Sequence, residues 1–106
     1  MIKIQNIWIA NETSLIFDEE NYVDENTDVI VTTKSLEKYI ATFFTYKNIE
    51  SIRQKNISIG ECNNGKYFWA SDMIIVDKID RKSIEQTVDF LLESGEFELI
   101  FKKFEN

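Results

Sequence analysis

Two stretches of this chain share one spacing of apolar residues. In SLEKYIATFFTYK (35–47), Leu36, Ile40, Phe43 and Phe44 fall at i, i+4, i+7 and i+8, and Ile84, Val88, Leu91 and Leu92 repeat the spacing further on. Such positions gather on one face of an α-helix, so two amphipathic helices are predicted. Thr33 or Ser35 can cap the first through a side-chain oxygen, with Glu37 near its positive end. Asp80 is placed to cap the second, and Gly95 to close it in the left-handed conformation. SLEKYIATFF and SIEQTVDFLL also share a Ser-apolar-Glu start, which hints at an internal repeat, although two helices with similar caps would look the same.

Between and around these stretches the patterns are those of strands. IKIQNIWIA switches from Ile2 and Ile4 to Ile7 and Ile9, a change of parity at Gln5-Asn6 that predicts a bulge or a break. SLIFD (14–18) follows the polar link Asn11-Glu12-Thr13 and is expected to pair with the first strand as a hairpin. DVIVTT (28–33) reads as a short buried strand. Asn63-Asn64-Gly65 tolerates positive φ and lies between NISIGEC and KYFWASDMIIV, which predicts another hairpin whose second arm contains a central strand. FELIFKKF is read as the last strand. The order gives an α+β fold, one domain over 1–106, with a largely antiparallel sheet and two helices packed on it. A chain of 106 residues, 43% hydrophobic and 29% charged, can bury one core and is too short for two ordinary ones.

The residues present exclude much chemistry. There is no histidine, hence no triad of the usual kind and none of the commonest zinc ligand. Cys62 is alone and has no basic neighbour in sequence to activate it, so it reads as a small residue near a turn rather than a nucleophile. No dinucleotide or phosphate-loop pattern occurs with three glycines. With these motifs absent, no cofactor or metal is expected, and since neither a secretory signal nor a membrane span is apparent the chain is predicted to be cytoplasmic. The chain is read as a non-enzyme.

Charge is the informative property. The net is −7, and residues 1–33 hold Lys3 against seven acids, a net of −6. DEENYVDENTD (18–28) carries six of them: Asp18, Glu19, Glu20, Asp24, Glu25 and Asp28. Asp24, Asn26 and Asp28 have the spacing of the first calcium-loop ligands, but Val29 takes the glycine position and Ser35 the bidentate glutamate position. Tyr22 and Val23 sit amid the carboxylates and supply apolar contact flanked by charge. A second acidic stripe, Glu85, Asp89 and Glu93, runs at i, i+4 and i+8, where like charges repel. Both features predict binding to a basic protein surface, not to nucleic acid or a membrane. Trp8 and Trp69 are read as core residues. Lys34, Lys38, Lys47, Arg53 and Lys55 are read as a solvated helix face.

KYFWASDMIIVDK, DRKSIEQTVDFLLESGEF and ELIFKKF together resemble the small acidic immunity proteins of bacterial toxin systems, especially those of contact-dependent growth inhibition. The resemblance implies a non-catalytic inhibitor that binds a cognate toxin domain, commonly a nuclease, and occludes its active site. A nuclease presents a basic cleft, so residues 18–28 would substitute for phosphates with Tyr22 as anchor, and the stripe of Glu85, Asp89 and Glu93 would be the other candidate surface. The alternative is an acidic nucleic-acid mimic that inhibits a host or phage-defence DNA-binding enzyme. A small carboxylate enzyme is the third reading.

Overall fold

The computed structural model describes residues 2–13 and 23–104. The predicted strand 14–18 lies outside the described residues. β1 (Ile4–Ile9), β2 (Asn26–Thr33) and β3 (Lys38–Thr45) are antiparallel neighbours, and β1 carries the expected bulge between Ile4 and Asn6. Asn11-Glu12-Thr13 is not an open hairpin link but part of a 3-10 turn, Ala10–Thr13. β4 (Met73–Val76) runs parallel to β3 alongside Thr42–Thr45, and β5 (Lys102–Lys103) pairs antiparallel with Tyr39 and Ile40. The result is a single α+β domain with a mostly antiparallel five-stranded sheet.

The first predicted helix is wrong: SLEKYIATFF forms a hairpin turn followed by β3. Tyr39, Ala41 and Phe43 are buried at period two, opposite Val31, Val29 and Thr27 of β2. Ile40 and Phe43, which a helix would bring together, point to opposite faces of the sheet. Thr33 does cap, but it caps the turn, with its Oγ1 accepting from the backbone N–H of Glu37 at 3.1 Å. Leu36, expected on a buried face, stands 68% exposed at the tip with φ +66°. The repeat falls with the helix, since one of its copies is a strand.

α1 (Tyr46–Ile59) begins where β3 ends and takes in the stretch NISI that read as a strand. Thr45 is its N-cap, accepting from the N–H of Asn48 at 3.0 Å, and Gly60 closes it at φ +77°. Asn63-Asn64-Gly65 does adopt positive φ, yet it forms no hairpin. Together with Cys62 it makes α2 (Cys62–Gly65), one turn of left-handed sense, with φ of +50°, +50°, +58° and +75° in chain order. A Cβ on Gly65 would stand 2.8 Å from the carbonyl oxygen of Arg53, so only glycine lets this turn press on α1. β4, expected to be central, lies at the sheet's edge.

α3 (Arg81–Ser94) matches its expectation: Asp80 accepts from Ser83 N–H at 2.7 Å, Gly95 has φ +78°, and Ile84, Val88 and Leu91 are buried. The expected last strand is broken into a short turn, α4 (Phe97–Ile100), and the two residues of β5. Phe97 meets Tyr39 edge-on at 5.2 Å and stacks on Phe101 at 4.5 Å, while Phe101 meets Phe43 at 6.0 Å. The core is therefore one layer: Ile9, Val29, Val31, Ala41 and Phe43 on one sheet face, covered by α3 and α4.

Candidate acidic binding surfaces

Asp18, Glu19, Glu20 and Tyr22 lie outside the described residues. The rest of the acidic run is no free loop, for Asn26 and Asp28 belong to β2. Alternation directs both away from the core, because Thr27 and Val29 on either side of Asp28 are buried. Asp28 accepts from Thr42 Oγ1 across the strand pair at 2.8 Å.

Asp24 is fixed by the helix that follows β3. Its two oxygens accept from Asn48 Nδ2 at 3.1 Å and Ser51 Oγ at 2.9 Å, and Asn26 Nδ2 donates to Asn48 Oδ1 at 3.0 Å. The bond from Asn48, then that from Ser51, holds the Asp24 carboxyl below its usual range, with Lys47 adding attraction. A carboxylate beside the first turn of a helix is also favoured by the peptide dipoles. Thr45 ties the neighbourhood together: its Oγ1 accepts from the N–H groups of both Glu25 and Asn48. Glu25 is consequently anchored through its backbone while its side chain reaches no cation. Among the described residues, no ion pair involves Asp24, Glu25 or Asp28.

The second surface differs. Glu85, Asp89 and Glu93 line α3, whose buried residues pack on the opposite sheet face from Asp28. Arg81 already engages Glu85 at 3.3 Å. The same guanidinium grips Glu12, with Nε to Oε2 at 2.9 Å, and donates to the Ile7 carbonyl at 3.0 Å, pinning the end of β1 to α3. Of the three, Asp89 and Glu93 are left without a cation among the described residues. The sheet therefore lies between Asp28 and this stripe.

Among the described residues, no group of three or more His, Cys, Asp or Glu is arranged to hold a metal ion. No described helix is long and apolar enough to cross a membrane. Neither tryptophan is in the core as expected: Trp8 is 41% and Trp69 73% exposed. For Trp8 a signal existed, since it has the opposite parity to Ile7 and Ile9. Lys34 and Lys38 are exposed on the hairpin, and only Lys47, Arg53 and Lys55 lie on a helix. No known protein family, curated protein or solved structure was found to match the chain.

Proposed function

We propose that this chain is a cytoplasmic immunity protein, which binds a cognate bacterial toxin domain with a basic surface and blocks it without catalysing a reaction. One observation carries the reading. The carboxylates of Asp24 and Asp28 are held in place by Asn48, Ser51 and Thr42, and Glu25 is tied by its backbone N–H to Thr45, yet none has a cation partner among the described residues. Prearranged charge of one sign favours a partner of the other sign, because little ordering remains to be done on binding. A nuclease cleft shaped for phosphates is such a partner. Asp24 is bonded to α1 through Asn48 and Ser51, and Asp28 points from β2 to the sheet face away from α3, which favours that side over the stripe of Glu85, Asp89 and Glu93 as the docking surface.

The test is capture of partners from the source strain on the tagged protein in moderate salt, identified by mass spectrometry. The expected result is one basic toxin fragment in stoichiometric amount, whose nuclease activity stops when the purified chain is added. Recovery of nothing, or a bound toxin that remains active, would overturn the reading. Many unrelated DNA-binding proteins, released by salt, would replace it with nucleic-acid mimicry.

A further inference from the structure

Among the described residues β4 has one partner, β3, and the hydrogen bonds show which way its backbone groups point. The carbonyl of Asp72 accepts from Thr42 N–H at 2.9 Å, so by the alternation of a strand the groups of Ile74 also serve β3 while those of Met73 and Ile75 point outward. Among the described residues nothing pairs with that outer edge. Apolar surface surrounds it. Ile75 is 37% exposed, and Phe90 of α3, 67% exposed, lines a groove with Val76. A bare edge with exposed aromatics beside it is a template for another strand.

We propose that the occupant is a second copy of this chain, with β4 pairing antiparallel to β4 about a two-fold axis at Ile75. Antiparallel pairing sets residues opposite each other only when both point their backbone groups into the pair or both away. The register that would oppose Asp72 and Asp77 breaks this rule. With Ile75 opposite itself the rule is met, and Asp72 and Lys78, which flank β4 at its two ends, come near each other on both sides of the axis. Centring on Ile74 or Val76 instead sets Lys78 against an apolar residue, and in the second case Asp72 against Asp80. Among the described residues Asp72 has only the Ser71 hydroxyl as side-chain partner, at 3.2 Å, and Lys78 is half exposed beside Asp80 at 3.4 Å, so both can form the new pair. An axis perpendicular to the sheet keeps both α3 helices on one face and brings the two Phe90 rings towards each other over the junction. Self-complementarity of this kind is what a two-fold interface requires.

Sedimentation of the purified chain from micromolar to near-millimolar concentration tests this in moderate salt, where repulsion between two copies of charge −7 is screened beyond about 8 Å. The expected result is a concentration-dependent dimer in which the amides of Met73 and Ile75 exchange with deuterium more slowly than in dilute solution. Ile75→Lys, which sets like charges on the axis, should abolish it. Lys78→Glu should weaken it by roughly tenfold. A chain that stays monomeric throughout overturns the proposal, and so does a dimer that leaves those two amides unprotected or survives Ile75→Lys. Protection that appears only when a different protein is added assigns the edge to that protein and likewise overturns it.

Discussion

Replacing Gly65 by alanine should destabilise the protein more than replacing Gly95, although the two glycines have nearly the same φ, +75° and +78°. Holding an alanine in the left-handed region costs roughly 1–2 kcal/mol at either site. At Gly95 that is the whole effect, because nothing lies within 4 Å of the added carbon. At Gly65 the carbon would sit 2.6 Å from Ile57 Cγ1 and 2.8 Å from the Arg53 carbonyl oxygen. The side chain of Ile57 can swing aside, but a helix carbonyl cannot move without disturbing α1. Overpacking of this kind costs a further 1–3 kcal/mol or so, for a total of roughly 2–5 kcal/mol at Gly65. Urea unfolding followed by circular dichroism reads the difference, which corresponds to a midpoint lower by about 1 M for Gly65→Ala than for Gly95→Ala. Equal midpoints would mean that the left-handed turn does not press on α1, and the close approach would be refuted.

Three further outcomes follow from the same geometry. Leu36→Gly should stabilise the chain by about 1 kcal/mol in the same assay, because a branched side chain at φ +66° is relieved and its exposed position loses no packing. Neutralising Asp24, Glu25 and Asp28 together as Asn, Gln and Asn should slow association with the basic partner about tenfold at low salt and flatten its salt dependence, while the circular dichroism spectrum stays unchanged. For pH, Asp24, Glu37, Glu50 and Asp80 all have folded carboxyls below their ordinary values, so their stabilisation is complete above those values and is lost as pH falls through the lowered ones. Lys103, paired with Glu37, and Arg81, paired with Glu12, are raised, so their contribution is lost only at strongly alkaline pH. Thermal unfolding across pH should therefore fall off on the acid side and, in a chain without histidine, show no step near pH 6.5.

The parts of the fold legible in the sequence were those where several local signals agreed. α3 has a capping aspartate, an apolar stripe and a terminal glycine, and each points to the same helix. β1 announced its bulge through the parity of its isoleucines. Apolar spacing alone exchanges β3 and α1. Phe43 and Phe44 are adjacent and both buried, one in the main core and the other against Phe68 at 5.5 Å, so an apolar pair meant for two sides of a strand imitated one side of a helix. YKNIESIRQKNISI leaves most of its surface in water and carries β-branched isoleucines, which conceals a helix from periodicity. For the candidate site, charge identified Asp24, Glu25 and Asp28, but nothing local foretold that Asn48, Ser51 and Thr42 would hold them. Those contacts join residues 14 to 27 positions apart, which no short window can see.

The placement of Phe97, Phe101 and β5 against the middle of β3 bears on how the molecule is made. A growing chain can pair β1, β2 and β3 once Thr45 has emerged, but Tyr39 and Phe43 have no aromatic cover until synthesis has passed Phe101. Up to that point those rings stay part of an apolar face that invites aggregation or a chaperone, and the segment from Phe97 to Phe101 is what withdraws them.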